Sequence, residues 1–207
     1  MKKKIGVLGA NGKLGTVIID RLLEQNAEVT AIVRHPENLT QNVPVLKRSL
    51  FDLTAEDIQP FDVIISTFSA PNDDIEQTIT AVDHLTAIFD NGTTQLVFAG
   101  SVGPLLDEHQ TRVADTELIQ EEYRERGKLA LTAFKHLEGT KSFDWLYMAP
   151  PLFFDPEGAY TGEYAFTGQH LKYNAQGLSY ISYLDMAAAI VEKLASKENH
   201  ELIGVHS

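Results

Sequence analysis

Seven residues near the start of the chain, Gly9-Ala10-Asn11-Gly12-Lys13-Leu14-Gly15, read G-x-x-G-x-x-G directly after the apolar run Ile5-Gly6-Val7-Leu8. Such a turn between a strand and a helix brings backbone N–H groups to a pyrophosphate at the positive end of a helix dipole. Gly9 permits the tight exit from the strand, Gly12 removes a side chain where phosphate approaches, and Gly15 lets the helix pack closely. A purely structural turn has the same glycines, so the flanks decide. Val17, Ile18, Leu22 and Leu23 lie against Asp20, Arg21, Glu24 and Gln25 at helical spacing, and a second apolar run follows at Glu28–Val33. A strand, a glycine turn, an amphipathic helix and a strand in that order point to a dinucleotide site.

The end of the second run discriminates between dinucleotides. An acidic residue there accepts from a ribose 2′-OH and repels a 2′-phosphate. Here the run ends in Arg34-His35-Pro36, with no carboxylate before Glu37. The planar fork of Arg34 suits a phosphate, which favours NADP(H) over NAD(H). Lys13 is a second source of phosphate charge, or simply the start of a helix face. Asp52 and Leu53 follow the third run, where an adenine ring is flanked, with Asp52 placed for an exocyclic amine. The fourth run ends in Ser66-Thr67-Phe68-Ser69-Ala70-Pro71 and the fifth in Gly100-Ser101-Val102-Gly103. Ligands of open α/β sheets bind outside the carboxyl ends of strands, so both segments are expected to line the nicotinamide half.

A Tyr-x-x-x-Lys pair, in which the lysine lowers the tyrosine pKa for proton exchange, is the usual apparatus behind such a turn. Here Tyr123 is followed by Gly127 at i+4 and Lys128 at i+5, about 140° around a helix, so the two cannot act as that dyad. His109, His136 and Asp155 read as structural or solvated groups. The seven histidines show no H-x-x-x-H or H-x-H spacing and there is no cysteine. No metal site and no disulfide are expected, and a reducing cytoplasm is the default compartment.

Charge is uneven along the 207 residues. Residues 1–50 hold eight Lys or Arg against four Asp or Glu, whereas residues 51–207 hold nine against twenty-five, for a net charge of −12. So acidic a chain lacks the basic stripe that nucleic acid demands, while its one basic region coincides with the expected polyanion site. Lys2–Lys4 read as solubilising residues. The apolar run behind them breaks at once into Gly9–Gly12, so neither a signal peptide nor a membrane span is expected.

Apolar runs alternate with helical periods, as in a parallel sheet covered on both faces. Strands are expected at Lys4–Leu8, Glu28–Val33, Pro44–Arg48, Asp62–Ser66, Gln95–Ala99 and Asp144–Met148, and helices at Gly12–Gln25, Ala55–Ile58, Asn72–Asn91, Glu117–Gly139 and Tyr183–Ser196. Ser182 and Asp185 have the spacing of an N-cap box. The fold class is a Rossmann-type doubly wound α/β domain, with a cofactor core at 1–150, a small substrate lobe at 151–182 bearing a hairpin from Ala165–Thr167 and Leu171–Asn174, and a closing helix and strand at 183–207.

Gly9–Gly15, Val33-Arg34, Phe98-Ala99-Gly100-Ser101, Ala149-Pro150-Pro151 and Tyr180–Ala187 together resemble the atypical short-chain dehydrogenase/reductase group. The chain is similar, over essentially its full length, to small NAD(P)H-binding proteins allied to flavin reductase and biliverdin-IXβ reductase and to bacterial NADH-flavin reductases. The Pro-Pro turn followed by Thr161-Gly162-Glu163-Tyr164 is the more specific element. The resemblance implies that Gly9, Asn11, Gly12, Lys13 and Leu14 wrap the pyrophosphate and that Arg34 holds the adenosine phosphate. It further implies that Thr67 and Phe68 border the central ribose, that Ser101 sits beside the nicotinamide carboxamide, and that Pro150 and Pro151 wall the ring. Some relatives carry a histidine after the two prolines, and this chain has Leu152.

Flavin reduction needs no dyad, because hydride passes between stacked rings and solvent supplies the proton. Phe153, Phe154 and Tyr164, with Phe68 and Tyr160, would form an aromatic pocket for a planar acceptor, unless the two phenylalanines are core. The expected function is an NADPH-dependent reductase of a flavin or similar acceptor, monomeric or homodimeric, with Ser101 orienting the nicotinamide or bonding to the acceptor. The alternatives are a non-catalytic NADP-binding redox sensor and, more remotely, a sugar epimerase or dehydratase.

Overall fold

The computed structural model describes residues 2–196 and 199–207. Its main sheet is assembled from β1 (Lys4–Leu8), β2 (Glu28–Val33), β3 (Val45–Lys47), β4 (Val63–Ser66), β5 (Gln95–Ala99), β6 (Trp145–Ala149), β8 (Ala165–Gly168) and β10 (Glu201–His206). The spatial order is β3-β2-β1-β4-β5-β6-β10-β8. All neighbours are parallel except β8, which runs antiparallel to β10. This is the Rossmann order extended by two strands, and it puts the reversal of strand order between β1 and β4. There Val7 pairs with both Ala31 and Ile65, so the ends of β1, β2 and β4 open at one level.

The central strands are buried on both faces: β4 and β6 have no exposed residue. That is why they read as continuous apolar runs rather than alternating ones. Each face is closed by a helix pair. α1 (Lys13–Glu24) presents Gly15, Ile18, Ile19 and Leu22, the spacing of one helical stripe, and packs beside α5 (Tyr183–Lys193). α3 (Gln77–Phe89) and α4 (Arg124–Glu138) cover the other face, where Phe89, Phe134, Trp145 and Tyr147 build the core. The short α2 (Ala55–Ile58) carries a full capping box between Thr54 and Asp57.

Boundaries shift where local chemistry outweighs periodicity. α3 starts at Gln77 rather than Asn72, because Pro71–Asp74 close a turn, with Asp74 N–H donating to the Pro71 carbonyl at 3.3 Å. α4 starts at Arg124, after a 3-10 turn at Glu121–Tyr123, and α5 ends at Lys193. The expected hairpin does not form. β8 pairs with β10 instead, and Leu171–Asn174 contains no strand. Asn174 spends its side chain on a turn, accepting from the N–H groups of Gln176 and Leu178. The segment 151–182 also supplies β7 (Phe153–Asp155) and β9 (Tyr180–Ser182), a separate parallel pair.

That segment is clasped to α5 by one carboxylate. Asp185 is fully buried. It accepts from the Ser182 hydroxyl (2.9 Å), the Thr161 hydroxyl (2.9 Å) and the N–H groups of Thr161 (3.1 Å) and Gly162 (2.9 Å). The Thr161-Gly162 signature is thus a docking point for the α5 N-terminus, where negative charge is favoured. Asp185→Ala leaves these donors without an acceptor and is expected to lower stability by about 3 kcal/mol, read as the shift in urea midpoint. An unchanged midpoint would remove the clasp from the account.

Candidate cofactor and acceptor cleft

Gly9 adopts φ +80°, and a Cβ there would stand 2.7 Å from Thr67 Oγ1. Thr67 in turn donates to the carbonyls of Leu8 (3.0 Å) and Gly9 (3.2 Å), tying the end of β4 to the turn. A Cβ on Gly15 would overlap the Gly9 carbonyl oxygen, so α1 packs against the turn itself and not only the sheet. Gly12 is the N-cap and offers no capping side chain, and the first turn of α1 has no acidic residue. Its leading amides are therefore free to meet an anion, and the backbone leaves the room a pyrophosphate needs.

Three cavities run together along the strand ends. A depression beside β3 is lined by Arg34, Lys47 and Arg48 together with Asp52, Glu56 and Asp57, and by Ser49 and Thr54. Arg34, Arg48 and Ser49 also border a cavity of about 450 Å³ that reaches Gly9, Gly12, Ile32 and Phe51. Gly12, Thr67, Phe68 and Ser69 are shared between that cavity and a cleft of about 430 Å³ beyond it. Gly100, Ser101, Tyr147, Phe154, Tyr183 and Arg126 are among the residues lining the cleft.

The cationic end is exposed. Arg34 has no ion-pair partner among the described residues, while Arg48 Nε lies 3.3 Å from Asp57. Burial works to raise the Asp57 carboxyl, but hydrogen bonds from Thr54 and Arg48 outweigh it and hold the group below its ordinary value. Asp57 thus stays ionised and partly neutralises Arg48, and Glu37 feels the charge of Lys47, leaving Arg34 as the cation with no ion-pair partner among the described residues. Asp52 accepts from Ser49 Oγ at 2.6 Å and lines the depression rather than the inner cavity. Leu53 is 2 % exposed and is core. Phe51, not singled out in the sequence, takes the inner position, its ring edge-on to Phe68 at 6.2 Å.

In the cleft, Ser101 is half-buried and its N–H donates to the Tyr147 hydroxyl at 3.0 Å. Burial pushes that hydroxyl up to about 12. Phe154 lies against Tyr183 with ring centroids 4.1 Å apart. Burial raises the Tyr183 hydroxyl above its usual range, with Lys13 pulling the other way. Lys13 itself pairs with Glu157 at 3.2 Å on the surface. The cleft face of α4 carries Arg126, Ala130 and Ala133. Arg126 donates to the carbonyls of Ala70 (3.1 Å) and Pro71 (3.2 Å) and to Asn72 Oδ1 (2.8 Å), bracing the loop after β4. Tyr123 is 53 % exposed and Lys128 is also exposed, both away from the cleft.

Several expected lining residues lie elsewhere. Pro150 and Pro151 are buried at the end of β6 and do not border the cleft. Phe153 is 60 % exposed and packs on Tyr180 at 5.6 Å. Tyr164 donates to Glu192 Oε2 at 2.8 Å on the α5 side and does not line the cleft. Asn11 reaches the His35 carbonyl at 3.3 Å and borders the inner cavity. His136 pairs with Asp83 at 2.6 Å, Asp155 accepts from Tyr180 at 3.1 Å, and His109 is exposed. No group of three or more potential metal ligands occurs among the described residues, and none of their helices is long and apolar enough to cross a membrane.

Comparison with known proteins agrees with this arrangement. The "Uncharacterized protein YwnB" of Bacillus subtilis (strain 168) is 38 % identical over 200 residues, covering 95 % of this chain and 94 % of that protein. The structure of SP1627 from Streptococcus pneumoniae TIGR4, described as "a putative NADH-flavin reductase", superposes with a TM-score of 0.93 at 30 % identity, covering 99 % of each chain. ChuY, an anaerobilin reductase from Escherichia coli O157:H7, shares the fold at 20 % identity and a TM-score of 0.74, over 98 % of this chain and 96 % of that one. The model of the NAD(P)H-binding family matches residues 9–197. That match takes in the glycine turn, the uncapped start of α1 and the strand-order reversal, and the chain belongs to the NAD(P)H-binding family.

Proposed function

We propose that this protein is an NADPH-dependent reductase that passes a hydride to a flavin or another planar acceptor. The observation that carries the reading is the unbroken groove. It leads from the exposed cations at Arg34 and Lys47, past the first amides of α1 at Lys13 and Leu14, into a mainly apolar cleft bordered by Ser69 and Ser101. A phosphate-bearing adenosine suits the first part and a pyrophosphate the second. The cleft has the volume and mainly apolar lining of a small-molecule site. When bound, the nicotinamide would supply the hydride.

The residues of the chain then have limited tasks. Arg34 and Lys47 favour a 2′-phosphate over a bare ribose, since nothing acidic stands at the end of β2. Thr67 holds the turn against β4, and Phe68 lines both the inner cavity and the cleft. Ser101 Oγ orients a carboxamide or bonds to the acceptor. Phe154 and Tyr183, their rings 4.1 Å apart and tilted by 37°, add an aromatic border to the cleft. The residues α4 gives to the cleft, Arg126, Ala130 and Ala133, include no tyrosine–lysine pair, which favours an acceptor that takes its proton from water.

Two substitutions test the cofactor and the acceptor halves of this reading. Arg34→Glu places a like charge beside the 2′-phosphate. At so exposed a site the loss is expected to be about tenfold or somewhat more in NADPH affinity, with NADH changed less than twofold. Equal losses would end the NADP assignment. Ser101→Ala is expected to lower kcat with FMN about tenfold while NADPH affinity stays within twofold, measured by nicotinamide fluorescence and by oxidation under nitrogen. A wild-type protein that binds NADPH and leaves flavins and quinones unreduced would be the sensor instead.

A further inference from the structure

The cleft continues past Ser101 into the α3/α4 layer as a recess. Its deep walls are Ala81 and Val82 of α3, Ala130 and Ala133 of α4, and the rings of Phe98 and Tyr147. Each is between 1 % and 6 % exposed, yet the space between them is not closed. Protein interiors ordinarily fill such gaps, and small residues on both facing helices keep this one open. The half-buried Thr78 and Arg126 complete the lining.

One polar group stands among these walls. The Tyr147 hydroxyl accepts the Ser101 N–H, and its own proton has no acceptor among the described residues. The ring cannot swing away. It stacks on Phe98 at 6.2 Å, meets the edge of Phe134 at 5.1 Å, and lies so close under Gly100 that a Cβ there would overlap it. With its hydroxyl held in the neutral form by burial, Tyr147 presents a fixed donor to the recess.

We propose that this recess is the ring subsite of the electron acceptor, and that the Tyr147 hydroxyl selects flat aromatic carbonyl compounds of the quinone type by bonding to their carbonyl oxygen. The proposal rests on the reductase reading above. A carboxamide brings two N–H donors along with its carbonyl, and the recess offers them only the Thr78 hydroxyl beside a Tyr147 oxygen that already accepts from Ser101; a quinone edge brings acceptors alone and asks for no such partner. Reduction of such a ring takes one hydride from NADPH, which becomes NADP⁺, and one proton from water at the cleft mouth, giving the hydroquinone. Tyr147 keeps its own proton throughout and acts by position.

The test uses the full chain saturated with NADP⁺ and follows menadione binding by calorimetry, with 2-methylnaphthalene as the same ring lacking carbonyls. Ala130→Leu, which fills the recess, is expected to weaken menadione at least tenfold and leave NADP⁺ within twofold. Tyr147→Phe is expected to weaken menadione about fivefold to tenfold and leave methylnaphthalene unchanged. Thermal unfolding confirms that each variant folds, and Ala133→Val replaces Ala130→Leu if that one does not. Failure of menadione to bind the wild type, or unchanged menadione affinity in these variants, overturns the proposal. So does a parallel loss of NADP⁺, which would give the recess to the nicotinamide. If menadione binds as expected but NADPH is oxidised by no acceptor, the subsite stands and the reductase reading falls.

Discussion

The carbonyl of Gly9 occupies the space that a side chain at position 15 would need, and this approach decides where α1 can begin. Because the helix starts hard against the turn, with no capping side chain at Gly12, its first amides face outward over the end of β1. Thr67 applies the same constraint from the far side, donating to the Leu8 and Gly9 carbonyls while leaving no room for a Cβ on Gly9. β1, α1 and the end of β4 therefore fix one another within a few atoms. The inner cavity and the cleft share Gly12 and Thr67 because both open from this junction.

The groove divides recognition between two dielectric settings. At its cationic end the charges of Arg34, Lys47 and Arg48 are exposed and screened, so selection between cofactors there rests on summed modest effects. At the other end Phe98, Tyr147, Ala130 and Ala133 are almost dry. One hydrogen bond weighs more in such surroundings, and one unpaired polar group costs more. On the proposed reading, an acceptor would be judged more strictly than the cofactor's adenosine.

Much of this fold is legible in the sequence because burial on both faces writes β1, β2, β4, β5 and β6 as plain apolar runs. β7 and β9 are not, since three residues each, half-exposed in β7, carry no period to read. The glycine turn is legible because its spacing is enforced by backbone contact. Around residue 52 the eye lands one residue off: a 3-10 turn sends Phe51 to the cavity and Leu53 to the core, and such a turn leaves no mark in hydropathy. Tyr164 reads as an acceptor aromatic because of its neighbours Thr161 and Gly162, yet Asp185 holds that loop so that the tyrosine meets Glu192. The cleft face of α4 escapes notice for another reason. Ala130 and Ala133 work by being small, and smallness resembles nothing in a search for reactive groups.

The antiparallel run of β8 on β10 has a consequence for how this sheet meets other chains. β10 is six residues long with four of them buried, and without β8 it would present a long row of unpaired backbone groups. With β8 in place the sheet's two borders are β3 and β8, of three and four residues, one carrying Lys47 and the other ending in Gly168 with φ +57°. Short, charged or kinked borders are poor templates for strand addition. The segment that brings Phe154 to the cleft therefore also guards the molecule against edge-to-edge aggregation.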